Sequence, residues 1–270
     1  TYTAQTGALT RLRAAREVSQ LDFNDFVSAS VFEDDDLALG NPDLRPETTW
    51  RLELSHERRL GKESVFKVLT FHDWVADVED LLPLSPIFEA PGNIGDGRRW
   101  GVEFETTLPL DGVGLRGAKL DVIARWQDST VVDPVTGGDR VFSTGDTSGK
   151  LFPLGLRFDI DYGYAIEFRQ DLEDAQFAWG WDLRARAERQ NFRVNELVIE
   201  DEGTELNVFV ETTRWLGLKV NLAAQNIFDI PETRDRILYV GERGLSPVAR
   251  QELRGRERGF RMTLDVSGVF

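Results

Sequence analysis

RGFRMTLDVSGVF, residues 258–270, alternates almost without fault: Phe260, Met262, Leu264, Val266, Gly268 and Phe270 point one way, and Arg261, Thr263, Asp265 and Ser267 the other. A period of two residues is a β-strand with one apolar and one wet face. Two settings suit such a strand. A soluble antiparallel sheet turns the apolar face to a core, and a membrane barrel turns it to lipid.

The same pattern recurs upstream. Residues 8–19 form an Arg-rich extended segment, followed by a polar stretch to Pro46. Trp50, Leu52, Leu54 and His56 then alternate against Arg51, Glu53, Ser55 and Glu57, and a turn at 61–63 leads into 64–77, so the two segments read as a hairpin. Residues 83–97, rich in Pro and Gly, read as a loop. Strands follow at 98–108, with Trp100, Val102 and Phe104 on one face, and at 118–130, with Leu120, Val122, Ala124 and Trp126 on one face. The longest clean run sets Leu156, Phe158, Ile160, Tyr162, Tyr164, Ile166 and Phe168 against Arg157, Asp159, Asp161, Glu167 and Arg169. Residues 176–190, 204–213 and 218–228 complete the set before one last long stretch, 229–257. This is about ten strands and no amphipathic helix, an all-β antiparallel chain.

Composition narrows the partners. With 270 residues the chain can bury a core as one large β domain or two ordinary ones. A formal charge of −15, with Arg interleaved among Asp and Glu, argues against a nucleic-acid partner, which needs a clustered basic surface. The chain has no Cys, so disulfide frameworks and thiolate metal sites are excluded. It has no run of about 18 apolar residues, which excludes a spanning helix but not spanning strands. The opening TYTAQ carries neither an initiator Met nor a signal-like run, and reads as the start of a piece of something longer.

Three features separate membrane from soluble. Several runs exceed ten residues, whereas soluble strands average about five or six and tilted spanning strands need roughly nine to eleven. Connections after the second, fourth, sixth and eighth strands are short and the others long, the rhythm of periplasmic turns and extracellular loops. In that register Trp50, Trp74, Trp100 and Trp126 fall at outer strand ends, and Trp179, Trp181 and Trp215 near inner turns with Phe66, Phe168, Phe177 and Phe270. Two aromatic girdles suit two bilayer interfaces, because the rings are apolar and the indole N–H seeks water.

Three stretches then carry a family resemblance: NPDLRPETTWRLELSHERR at 41–59, PGNIGDGRRWGVEFE at 91–105 and AQNIFD at 224–229. Together with a last strand ending on Phe270, like the closing strand of outer-membrane barrels, they resemble the C-terminal barrel portion of TonB-dependent outer-membrane receptors. The resemblance covers nearly the whole chain. It implies a barrel of about 22 strands around an N-terminal plug, importing a siderophore, vitamin, sugar or similar solute with energy delivered by TonB through the N-terminal part. Residues 1–270 lack the plug, the coupling box and the first strands of that pattern. The expectation is therefore part of a barrel wall in the bacterial outer membrane, partnered by lipid, the plug, the remaining strands and a small solute ligand. An open sheet standing alone in lipid would leave two unpaired edges.

Candidate sites are sparse. His56 and His72 lie on neighbouring strands, but position 56 faces roughly position 68, so the pair is staggered and makes a poor metal or catalytic couple. Glu33, Asp34, Asp35 and Asp36 could hold Ca²⁺ or bridge ions to lipopolysaccharide phosphates, yet lack the spacing of a calcium loop and read as a solvated face. PGNIGDG lacks the Lys-Ser/Thr and helix of a phosphate loop. Arg157, Asp159, Asp161, Glu167 and Arg169, with Asp182, Arg184, Arg186 and Glu188 on the next strand, should line the lumen and pair with one another or with a plug. No catalytic, cofactor, metal or substrate-binding residue is assigned. The competing readings are a soluble β-sandwich that binds carbohydrate and folds without detergent, and a ten-stranded outer-membrane enzyme with an acid–His site at its rim.

Overall fold

The computed structural model describes residues 2–3, 7–21, 30–33, 36–60, 64–144 and 161–268. The chain passes through β1 (Tyr2–Thr3), β2 (Ala8–Val18), β3 (Ser30–Glu33), β4 (Asp36–Leu39), β5 (Thr48–Leu60), β6 (Ser64–Ala76) and β7 (Glu79–Ser85). It continues with β8 (Phe88–Asn93), β9 (Gly97–Pro109), β10 (Ala118–Val132), β11 (Asp139–Arg140), β12 (Tyr162–Leu172), β13 (Phe177–Arg186) and β14 (Arg189–Phe192). The last six are β15 (Glu196–Asp201), β16 (Thr204–Trp215), β17 (Leu218–Gln225), β18 (Glu232–Tyr239), β19 (Val248–Arg256) and β20 (Arg261–Ser267).

One sheet dominates, in the order β1-β2-β5-β6-β9-β10-β12-β13-β16-β17-β20, with β11 attached to β10. Setting aside the two-residue β1 and β11, its ten long strands are those expected from the alternation, and each pairs antiparallel with the next. The expected rhythm holds as well. Only Leu216 and Gly217 separate β16 from β17, a single 3-10 turn at Glu173–Ala175 leads from β12 to β13, and another at Asp111–Val113 lies between β9 and β10.

Among the described residues no second sheet covers the apolar face. Trp50 is 55% exposed, Trp74 53% and Leu264 66%, and Trp100 and Trp126 are likewise exposed. A sandwich would have buried these side chains, so the soluble-sandwich alternative fails on this point. The outer girdle is continuous: Trp50 pairs with Trp74 across β5 and β6, and the Trp100 and Trp126 rings meet edge-on at 4.9 Å. At the other end Phe168 packs between Trp179 and Trp181, at 5.0 and 6.0 Å, and is itself nearly covered. Trp74 and Phe66 lie eight residues apart on β6, about 27 Å of strand, or about 20 Å of height at a usual barrel tilt. That approaches the apolar band of an outer-membrane barrel.

The sheet is open, and its edges are β1–β2 and β20. The described buried apolar cluster is small and sits beneath the outer connections, where Val75, Val78 and Val131 pack with Ile94 and Phe142.

The long connections contain more structure than the sequence suggests. Residues 83–97, expected as a loop, lie largely in the β7–β8 hairpin, with Glu79 paired to Asn93. The run 176–190, expected as one strand, breaks after Arg186, and β14 joins β15, β18 and β19 in a separate four-stranded sheet. Alternation persists across such a break, so periodicity does not report it. Phe158, Asp159, Arg157 and Phe270 lie outside the described residues, as do Asp34 and Asp35 of the acidic cluster, whose flanking Glu33 and Asp36 pair at the end of the β3–β4 hairpin.

Candidate functional site

Alternation along β5, β6, β9 and β10 places polar side chains on the face opposite the Trp girdle. Arg51, Asp73 and Arg99 are register partners in one cross-strand row, and opposite residues in an antiparallel ladder share a face. Asp73 is completely buried and accepts from Arg51 Nε at 2.7 Å and Nη2 at 2.8 Å, and from Arg99 Nε at 3.1 Å and Nη2 at 2.9 Å. The adjacent row carries Phe71, whose ring lies between the guanidinium groups of Arg51 and Arg125 at 4.8 and 4.9 Å. Gly101 makes room for that ring: a Cβ there would stand 2.8 Å from Phe71 Cε1 and 2.5 Å from the Trp126 carbonyl oxygen. Arg125 reaches Glu103 at 3.0 Å and donates to Gln127 Oε1 at 2.6 Å.

Of the row expected to line the lumen further along, Glu167, Arg169, Asp182, Arg184 and Arg186 are all ion-paired. Arg184 meets Glu167 at 3.4 Å and Asp182 at 3.0 Å, and Arg169 meets Asp171 at 2.8 Å and Glu211 at 3.4 Å. Arg186 pairs with Glu202. Self-neutralised pairs leave little net field for a solute, so this part of the wall is a weak candidate for binding.

The outer connections converge more tightly. Arg140 and Ser143 both donate to Asp80 at 2.7 Å, and Arg243 donates to Asp133 at 2.7 Å. Phe192 brings these groups together, with Arg140 at 4.6 Å and Arg243 at 5.1 Å from its ring centroid. Glu89 in β8 binds Arg193 and the Val194 N–H, and Thr144 exchanges hydrogen bonds with the Gln190 backbone. Burial alone would raise the Asp133 carboxyl, but the Val135 N–H and the Arg243 guanidinium outweigh it and hold the group below the ordinary carboxylate range.

Against this cluster lies a cleft of about 230 Å³, lined by Thr144, Arg189, Gln190, Asn191, Arg193 and Arg234 together with Glu196 and Glu200. Arg236 grips Glu196 with two bonds, at 2.7 and 2.6 Å, and this pairing raises the guanidinium above its usual value. Arg189 and Arg234 both meet Glu200 and Arg193 meets Glu89, so the charges here are as balanced as in the lumen row. What sets the hollow apart is the side-chain amides of Gln190 and Asn191 beside them, a donor set that suits an oxygen-rich small molecule. A recess of about 290 Å³ at the opposite end, beside Asp171, Glu173 and Glu211, faces the inner turns.

The histidines do not converge. His56 pairs with Val68 and His72 with Leu52, so they lie four residues, about 13 Å, apart along the ladder. His56 Nδ1 lies 2.9 Å from Thr10 Oγ1, and His72 packs on Trp74 at 4.3 Å. Asp73, next to His72 in sequence, points to the other face. Among the described residues no cluster of His, Asp and Glu could hold a metal ion. Asp80, Asp133, Arg140, Phe192 and Arg243 were not singled out from the sequence. They sit in connections without periodicity, and only their partners far along the chain distinguish them from solvated residues.

The three stretches that carried the resemblance are joints. Asn93 and Asn41 tie the first long connection to the second through Arg45 and Pro91. Asn226, nearly buried with φ 51°, donates its backbone N–H to Asn207 Oδ1 at 2.9 Å and turns the chain out of β17.

The model of a family described as TonB dependent receptor-like, beta-barrel matches residues 18–227. Among solved structures, the Q482A mutant of the ferric enterobactin receptor PfeA from Pseudomonas aeruginosa, in complex with enterobactin, has a TM-score of 0.56 at 14% identity. The match covers 97% of this chain and 39% of that one. The closed form of the ferric-catecholate import receptor Fiu from E. coli K12 has a TM-score of 0.54 at 13% identity, covering 85% of this chain and 30% of that one. The chain thus spans between 30% and 39% of the length of these two proteins. No curated protein sequence matches it. At such identities the structures speak for the fold, while the family match extends over most of the chain. The chain belongs to the TonB-dependent receptor β-barrel family of the bacterial outer membrane.

Proposed function

We propose that residues 1–270 form the C-terminal wall and outer loops of a TonB-dependent receptor that imports a scarce solute. The observation that carries this reading is the open ten-stranded sheet with its apolar face bare: two unpaired edges in lipid demand further strands to close the barrel. The partners are those strands, outer-membrane lipid, a plug docking on the charged lumen face, TonB acting through the N-terminal part, and a small solute. Both solved neighbours are receptors for iron-bearing solutes by name, which favours a siderophore over a sugar or vitamin. The cleft beside Arg189, Arg193 and Arg234 is the place where such a ligand would first be held, because its amide donors, and guanidinium N–H groups shared with Glu89 and Glu200, complement a ligand's oxygens. The family is one of transport receptors, and the proposed activity is uptake rather than catalysis.

The test is uptake of labelled solutes by cells carrying the full-length protein, with and without TonB, in wild type and in an Arg189→Ala/Arg234→Ala double variant. TonB-dependent accumulation of one solute, with weakened uptake in the variant, is expected. Uptake independent of TonB would overturn the energy coupling, and an unaffected variant would overturn the assignment of the cleft.

A further inference from the structure

The chain distributes its charge unevenly between wall and outer connections. The five outer connections, residues 19–47, 77–96, 133–161, 187–203 and 226–260, hold twenty-nine of the 47 acidic residues but only thirteen of the 32 basic ones. The acidic excess therefore lies wholly in these connections, and the strands and inner turns are close to balance. The first two connections are the extreme, with thirteen Asp and Glu against Arg45 alone. Inside the cleft no described cation is spare. Arg189 meets Glu200 at 2.5 Å and Glu202 at 3.7 Å, Arg234 meets Glu200 at 3.6 Å, Arg236 meets Glu196 at 2.6 Å, and Arg193 meets Glu89. The side chains of Gln190 and Asn191 differ from these. Both line the hollow, and neither side-chain amide bonds another described residue, since the hydrogen bonds of Gln190 run through its backbone to Thr144. Leu81 and Val198 add an apolar side.

We propose that the cleft takes an iron chelate of zero net charge, a ferric tris-hydroxamate, in preference to a trianionic ferric tris-catecholate. The inference rests on the transport reading above and names the substrate class of its cleft. Each hydroxamate brings one negative charge and each catecholate two, so three of the first neutralise Fe³⁺ and three of the second leave a trianion. Acidic connections raise a repulsive potential of several kT against that trianion. Within the cleft it would also have to draw a guanidinium away from its carboxylate, leaving a carboxylate without its partner. The neutral chelate breaks no ion pair. Its carbonyl oxygens accept from the Gln190 and Asn191 amide N–H groups, the N–H groups of its linkers donate to the amide oxygens, and its methylene arms meet Leu81 and Val198. A hollow of about 230 Å³ seats one arm of such a chelate. Repulsion of one ligand class combined with neutral complementarity to another makes the site a charge filter.

The test is titration of the purified full-length protein in detergent with two tripodal ferric chelates built on one backbone, the tris-hydroxamate and the tris-catecholate, followed by quenching of Trp fluorescence. The unsubstituted protein should bind the neutral chelate about tenfold more tightly at about 0.15 M salt, and the gap should narrow at about 1 M as repulsion is screened. Gln190→Leu and Asn191→Leu should each weaken the neutral chelate about fivefold. Glu200→Gln releases Arg189 and Arg234 from their shared acid and should strengthen binding of the trianion. Equal or tighter binding of the trianion by the unsubstituted protein overturns the inference even if every variant fails to fold. A preference that salt leaves unchanged, or full affinity in the folded Gln190 and Asn191 variants, overturns it too. Uptake in cells is read separately. Failure of both chelates to bind, with TonB-dependent uptake of another solute, overturns this inference alone, whereas TonB-independent uptake overturns the energy coupling and leaves the binding preference standing.

Discussion

The side-chain amide of Asn93 clasps the backbone of Arg45, accepting from its N–H at 3.0 Å and donating to its carbonyl at 2.8 Å. The same Nδ2 donates to the Asp77 carbonyl at 2.9 Å. One amide thus mimics a strand neighbour for a segment 48 residues away and joins the first outer connection to the second. Asn93→Ala should leave these backbone groups unmet and cost about 1–3 kcal/mol locally. Hydrogen exchange at the Arg45 amide should accelerate, while amides in β16 and β17 keep their protection. Unchanged exchange at Arg45 would show that the clasp is not needed.

Asp73 holds two arginines with no access to water. Replacing it with Ala strands two guanidinium groups side by side, and loss of one partner from a buried ionic network typically costs about 3–5 kcal/mol. Unfolding of the full-length protein in lipid should shift by that order. An Asp73→Ala/Arg51→Leu double variant should recover part of the loss, and equal damage from both variants would refute the pairing argument.

Gly101 is set by a close approach. A methyl group there would meet a backbone oxygen at 2.5 Å and Phe71 at 2.8 Å, and the backbone oxygen cannot swing aside. Gly101→Val should lower stability by about 1–3 kcal/mol or more through overpacking, read as a reduced heat-modifiable fraction in outer-membrane preparations. Gly112, with nothing near its Cβ position, should accept Ala without effect.

Glu47 and Glu79 lie together where the first and second connections meet. Glu79 Oε1 takes the Ser19 hydroxyl at 2.6 Å and the Glu47 N–H at 2.9 Å, and the Glu79 N–H reaches Glu47 Oε2 at 3.4 Å. Burial, reinforced by the Glu79 charge, raises the Glu47 carboxyl above its ordinary 4.5, although the Glu79 N–H and Arg99 pull the other way. The folded protein therefore holds this proton more tightly than the unfolded chain. Its stabilisation is complete below pH 4.5 and is lost as pH rises through the raised value. Glu47→Gln should flatten that part of the pH–stability profile, and an identical profile would show that another group titrates there.

Val102 and Glu103 are neighbours with opposite outlooks, since Val102 is exposed beside the Trp girdle and Glu103 pairs with Arg125. Spin labels at the two positions in reconstituted protein should respond differently, with apolar oxygen relaxing position 102 and a water-soluble reagent position 103. The reverse pattern would turn the barrel inside out.

Much of the wall was legible from residue order because a strand records its surroundings every second residue. Trp50, Leu52 and Leu54 against Arg51, Glu53 and Ser55 define two faces without any knowledge of neighbours. The staggering of His56 and His72 followed from hairpin arithmetic, and the pairing of position 56 with 68 bears it out. The hairpin β7–β8 and the sheet β14-β15-β18-β19 escaped notice. Their Pro, Gly and charged residues carry the local signature of loops, and their strands are stabilised by partners across the roof.

By itself the sequence determined the ten long wall strands, their antiparallel order and the rhythm of short and long connections, because each is written in local periodicity and turn composition, and the placement of Trp at the strand ends turned the apolar face outward. Tertiary structure alone decided how the outer connections dock. Asp133 meets Arg243 across 110 residues and Glu89 meets Arg193 across 104. Contacts closed over such distances depend on where the wall sets the loop ends, and no repeating pattern along the chain encodes them.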